Sequence, residues 1–136
     1  MNTDTGPDLT GSDGSQLLHK SETKAIIGCA FEVLNGIGPG LQEKIYENSL
    51  VVAFRQKGIP FDQQRRFPVV FLGETVGEFI PDLLVFGSVV TDAKVIEKIT
   101  DHERGQMLNY LRITGLRVGL ILNFKYPVLQ WDRMVL

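Results

Sequence analysis

Cysteine is almost missing: Cys29 is the only one in 136 residues, which excludes an internal disulfide framework and a cysteine-based metal site. It sits in the apolar run IIGCAF, where a small buried thiol is the expected role. Histidine is nearly as scarce. His19 lies in a polar leader, and His102 stands between Asp101 and Glu103 near a helix start, where an exposed cap-region residue is a simpler reading than a general base. No apolar run approaches the roughly 18 residues of a membrane span. The first twenty residues hold three aspartates, one lysine and no apolar core, unlike a secretory signal. A cytoplasmic protein without a membrane partner is the expectation. Basic excess is lacking too. Against 14 basic residues stand 16 acidic ones, and residues 21–136 are balanced, 13 against 13. That excludes a strongly cationic nucleic-acid sponge and leaves a local cationic surface open. There is no GxSxG elbow. GIGPG has neither the spacing of a dinucleotide fingerprint nor the GK[ST] of a P-loop, so its glycines are turn glycines.

What is present is an ordinary globular composition, 43% apolar and 22% charged. Residues 1–20, rich in Gly, Ser, Thr and Asp, read as a flexible leader, and 21–136 as one domain. Ser21 is positioned to cap a first helix whose stripe is Ile26, Ile27, Ala30, Phe31 and Leu34, ended by NGIGPG. A second helix follows Gly40 with Leu41, Ile45, Tyr46, Leu50 and Phe54 at helical spacing, stopped at Lys57-Gly58-Ile59-Pro60. Phe67–Leu72, Val76–Phe86 and Val89–Ala93 predict three strands in two hairpins. Thr100 or Asp101 caps a third helix carrying Met107, Leu108, Leu111 and Ile113. Strands over Val118–Asn123 and Val128–Val135 complete an α+β chain.

Polar residues stand where this scheme wants apolar or neutral ones: Glu43, Asp82, Asp92 with Lys94, and Gln106. Asp82 interrupts a strand, where a carboxylate needs compensation. Asp92 and Lys94, two apart on the next strand, leave by one face. Whether Asp82 joins them depends on the hairpin loop. A two-residue loop at Gly87-Ser88 sets 82 opposite 93, whereas a three-residue loop, Phe86-Gly87-Ser88, sets 82 opposite 92 and gathers both carboxylates with the lysine. In that case the crowded oxygens suit Mg²⁺ or Mn²⁺, and Lys94 can orient water beside a phosphate. The simpler reading is a surface ion pair of Asp92 and Lys94, worth at most about 1 kcal/mol. Gln106 and Tyr110, at i and i+4, share a helix face; Tyr110 is equally suited to filling the core between helix and sheet. Glu47 reads as a solvated helix residue, and Tyr46 as packing between the first two helices. Arg65, Arg66, Lys98, Arg112 and Arg117 offer a modest cationic rim, or a solvated edge.

GLQEKIY after the GIGPG turn, then GEFIPDLLV, DAK and QMLNYLRITGLRVGLILNF, resemble in order the motifs of the GxxExxY protein family, assigned to the PD-(D/E)XK nuclease superfamily. The resemblance spans roughly residues 22–136. It implies an α/β/α-like, restriction-endonuclease-like core with a short mixed central sheet flanked by helices. It also implies a Mg²⁺-dependent nuclease, Mn²⁺ being an alternative ion. Glu43 then matches the helix carboxylate of the first motif, Asp82 the metal-binding aspartate, Asp92 the acid of the (D/E)xK pair and Lys94 its lysine. The Ala93 carbonyl becomes a further metal ligand, and Gln106 and Tyr110 match the QxxxY signature of RecB-like nucleases. Two positions depart from the family pattern: Asp92 stands where glutamate is common, and Ile80 where a polar or basic residue is. The implied partner is nucleic acid, DNA before RNA, with a homodimer as one way to enlarge the surface. The alternative is an inactive nuclease-fold protein that binds nucleic acid or serves as an accessory.

Overall fold

The computed structural model describes residues 18–136, so most of the expected leader lies outside the described residues. Leu18 already packs against the core, and its carbonyl accepts a hydrogen bond from Arg133. Helix α1, Lys20–Ile37, begins two residues earlier than a Ser21 cap implies, with His19 at the cap position. Ser21 is inside it and does not cap; its hydroxyl donates to Glu22 Oε1 at 3.2 Å. Ile26, Cys29, Ala30, Val33 and Leu34 are buried, which makes Cys29 the core thiol it was expected to be. Helix α2, Glu43–Lys57, buries Tyr46, Leu50, Val51 and Phe54. Leu41 and Ile45, expected in that stripe, are each 41% exposed. The Tyr46–Leu50–Phe54 row at i, i+4 and i+8, with Val51 beside it, fixes the inward direction; Ile45, one position before Tyr46, is turned about 100° to the other side, and Leu41 precedes the helix.

The middle of the chain is more broken than its hydrophobic runs suggest. Three expected strands are five: β1 (Phe61–Gln63), β2 (Phe67–Phe71), β3 (Glu74–Phe79), β4 (Leu83–Val85) and β5 (Val89–Lys94). The run from Val76 to Phe86 is cut at Ile80-Pro81, where proline has no N–H to continue a ladder. Strands β2 and β3 pair only with each other, and their hairpin leans on the next helix through Phe67 and Phe79. Helix α3, Asp101–Thr114, starts at a full capping box. Thr100 Oγ1 accepts from the His102 N–H, and Glu103 reaches back to the Thr100 N–H at 2.7 Å. His102 is exposed beside that cap. Strands β6 (Val118–Asn123) and β7 (Gln130–Val135) end the chain.

The central sheet runs β1-β4-β5-β6-β7, with β5 and β6 parallel and the other pairs antiparallel. Parallel neighbours need a crossover, and α3 supplies it. Alternate residues of the sheet feed two cores. Leu83, Val85, Val89, Ala93, Leu120 and Leu122 pack under α1 and α2, while Leu84, Val90 and Ile121 pack under Met107 and Leu111 of α3. The result is a mixed sheet between helices, the restriction-endonuclease-like α+β core expected. No helix among the described residues is long and apolar enough to cross a membrane.

One glycine sets how closely α3 approaches. A Cβ on Gly119 would stand 2.4 Å from Met107 Sδ, well inside van der Waals contact. Gly119→Ala must push Met107 aside in a full core and is expected to cost about 1–3 kcal/mol, read as a lower midpoint in urea unfolding. An unchanged midpoint would mean that Met107 has room the structure does not show.

Candidate functional site

The β4–β5 turn resolves the open question of register. Val85 pairs with Val89, so the loop is the three-residue Phe86-Gly87-Ser88, with Phe86 and Gly87 at φ 59° and 65°. Continuing from Leu83 opposite Thr91 brings residue 82 opposite 92. Asp82 Oδ2 accepts the Ala93 N–H at 3.0 Å, on the edge of β5 that β4 has already left. Val90 belongs to the α3-side core and Ala93 to the opposite one, so period two puts Asp92 and Lys94 on the α3 side.

The electrostatics follow from that crowding. Asp92 is 7% exposed. Burial first, and the neighbouring Asp82 charge second, push its carboxyl up from 3.8 to about 6; Lys94 pulls the other way. Burial also raises Asp82, against the Ala93 hydrogen bond that favours its charged form. Tyr110 stacks on Phe79 with ring centroids 3.9 Å apart and planes 17° apart, so the core-filling role is real. It also lies within the field of the pair: burial, then Asp92 and Asp82, raise its phenol. Gln106 is half-buried one turn earlier on the same helix.

Glu43 is the first residue of α2. Its Oε2 accepts the Val95 N–H at 3.1 Å, and its charge adds slightly to the upward push on both aspartates. Buried Asn123 fastens the other side of this segment, accepting from Ile96 N–H at 3.0 Å and donating to Ile96 O at 2.9 Å. Lys94 is therefore followed by backbone held from both sides. Tyr46 fixes the approach to Glu43: its hydroxyl donates to Gly38 O at 2.6 Å and accepts the Leu41 N–H at 2.9 Å, and its ring stacks on Phe124 at 4.4 Å. It packs α2 against the end of β6 and ties it to Gly38, the C-cap of α1, which secures the GIGPG turn.

A helix carboxylate, two aspartates facing across a hairpin, and a lysine two residues past the second now stand in one region of a mixed sheet. The family model of the PD-(D/E)XK nuclease superfamily matches residues 20–134. The chain belongs to that superfamily. No curated protein matches it.

Within the PD-(D/E)XK frame, two expectations need correction. Among the described residues, no three His, Cys, Asp or Glu side chains are gathered so that they could hold a metal ion. The Glu43 oxygen is directed to the Val95 amide, and the close carboxylates are the two aspartates. Glu47, read as solvated, is 3% exposed. Its Oε2 collects Lys44 Nζ at 3.2 Å, Gln63 Nε2 at 2.6 Å and Gln64 Nε2 at 3.0 Å, and its charge raises Asp82 more than that of Glu43 does. The signal for it was the i, i+4 pair Glu43 and Glu47 together with the two adjacent glutamines at 63 and 64.

The cationic rim is dispersed. Arg65 pairs with Asp62 at 3.7 Å and Arg66 with Glu78 at 3.3 Å, both on the surface. Arg112 donates to Asn109, and Arg117 to the Leu136 carbonyl. Arg117 precedes Val118, which pairs with Val89 at the far end of β5 from Lys94. Five strand steps of about 3.3 Å separate those ends, so Arg117 is far from the aspartates. Lys98 is exposed on the loop after β5, at the near end.

Proposed function

We propose that the chain is a divalent-metal-dependent nuclease of the GxxExxY type. The observation that carries this reading is the buried Asp92 facing Asp82 with Lys94 two residues on. Two adjacent carboxylates cost stability unless a cation or a proton relieves them, and an all-oxygen donor set fits a hard ion. Asp82, Asp92 and the Ala93 carbonyl would hold Mg²⁺ or Mn²⁺, while Glu43 fastens the Val95 amide beside them. Such an ion, when bound, polarises a phosphodiester and lowers the pKa of water.

The chain's own groups account for the rest. Lys94 directs a water toward phosphorus and offsets charge growing on the phosphoryl oxygens. Gln106, an uncharged donor on α3, steadies the phosphate. Tyr110 supports the site through its stack on Phe79 and its position near both aspartates. Nucleic acid, with DNA first, is the substrate class, recognised through its backbone. Incubation with single- and double-stranded DNA and RNA in Mg²⁺ or Mn²⁺ is expected to give cleavage that a chelator stops. Cleavage equal with and without the chelator would contradict a metal-dependent site.

The second reading, a nuclease-fold protein that binds or assists without cutting, draws on the absence of a gathered set of three acids among the described residues. It predicts salt-sensitive nucleic-acid binding and no stabilisation by divalent ions.

A further inference from the structure

Gln64 has φ 60°, a left-handed backbone that residues other than glycine, asparagine and aspartate seldom adopt. It stands just past β1, whose Gln63 pairs with Leu83 of β4. The distorted residue is tied at two points. Its backbone N–H donates to the Asp82 carbonyl at 3.1 Å, and its side-chain amide donates to buried Glu47 at 3.0 Å. Gln63 reaches the same Glu47 oxygen at 2.6 Å and Asn48 Oδ1 at 3.0 Å. Lys44 Nζ, 3.2 Å from the same carboxylate oxygen, supplies its counter-charge.

We propose that Glu47 and Gln64 form a clamp between α2 and β4 that positions the Asp82 carboxylate. Glu47 holds the Gln64 side chain, the left-handed turn aims the Gln64 N–H at the Asp82 carbonyl, and the fixed backbone delivers Asp82 Oδ2 to the Ala93 N–H. Phe86 and Leu72 share the left-handed backbone in hairpin turns, but Gln64 is tied by both its N–H and its side chain. Strain kept at such a place is understandable when it sets the geometry of a site. The consequence for catalysis rests on the nuclease reading; the positioning itself does not. Glu47 and Gln64 are positioning residues, since neither is required to touch the substrate.

The test uses the Ala93 amide, because its partner is the Asp82 carboxylate. Native-state hydrogen exchange is compared in the parent, Gln64→Gly and Gln64→Asn, with Glu47→Gln as an independent break at the other end. Gln64→Gly keeps the turn without strain but removes the tether. It is expected to speed Ala93 exchange roughly tenfold or more while Val90 and Leu120 amides and the Tm hold steady or rise. Gln64→Asn, which tolerates the left-handed turn and retains an amide, should restore part of the protection. Ala93 exchange unchanged in both Gln64→Gly and Glu47→Gln would overturn the clamp, as would acceleration shared equally by all three amides. A chain that cuts nothing and binds no Mn²⁺ would end the nuclease reading while leaving this exchange result to decide the clamp.

Discussion

Replacing Lys94 by alanine is expected to reduce Mg²⁺-dependent cleavage by about 10²–10³-fold or more, the scale for removing one preorganised donor from a developing oxyanion. Lys94 is half-buried at the end of β5, and its charge lowers the pKa of both Asp82 and Asp92. Its loss acts twice: no cation steadies the water and the phosphoryl oxygens, and the two carboxyls move further up. The activity that remains should therefore need a higher pH than the parent requires. At neutral pH the metal-free variant should also be less stable than the parent, because the two crowded carboxyls lose a compensating charge. Lys94→Arg keeps the charge but spreads it over a planar, bulkier group, and should recover a small part of the rate. Cleavage by Lys94→Ala at the parent's rate, with an unshifted pH profile, would remove Lys94 from the chemistry.

Asp92→Asn is expected to destroy activity and yet stabilise the metal-free protein. The Asp92 carboxyl is raised from 3.8 to about 6 in the folded chain. A raised acid binds its proton more tightly folded than unfolded. Its contribution to stability is therefore most favourable below 3.8, falls as pH climbs through the interval to about 6, and is a constant penalty above it. The gap corresponds to about 3 kcal/mol at neutral pH. Asparagine carries no charge at any pH and escapes that penalty, less whatever its amide loses by lacking partners in a buried place. The variant's Tm should exceed the parent's at pH 7.5, by about 2–4 °C for each kcal/mol gained, and the difference should vanish near pH 4. Divalent ions should reverse the order by stabilising only the parent. A variant less stable than the parent at pH 7.5 would show that Asp92 is compensated by more than Lys94.

The parts of this site that could be read in the sequence are those with local causes. Asp92 and Lys94 share a side because strands have period two, and Gly87 made a three-residue loop available; the observed pairing of Val85 with Val89 follows that option. The three helices followed from their apolar stripes and the start of α3 from its Thr100 cap, whereas the Ser21 cap did not form. Strand β1 was missed because three residues, Phe61–Gln63, carry no period of their own and exist only by pairing with β4. The β2–β3 hairpin looked like part of the main sheet because nothing local reveals which strand a neighbour will pair with. Glu47 was misread for the same reason. Its partners Gln63 and Gln64 lie 16 and 17 residues on, and only the folded chain brings them to it. Leu41 and Ile45 show the opposite error: Ile45 lies outside the arc that Tyr46, Leu50 and Phe54 define, and Leu41 precedes the helix altogether.

The central claim is that Asp82 and Asp92 exist to hold a divalent ion. Isothermal titration calorimetry of Mg²⁺ and Mn²⁺ into the parent and into Asp82→Asn, with and without a non-cleavable oligonucleotide, addresses it directly. The account predicts binding to the parent and its loss in Asp82→Asn. Failure of the parent to bind either ion at millimolar concentration, even with oligonucleotide phosphates present, would contradict it.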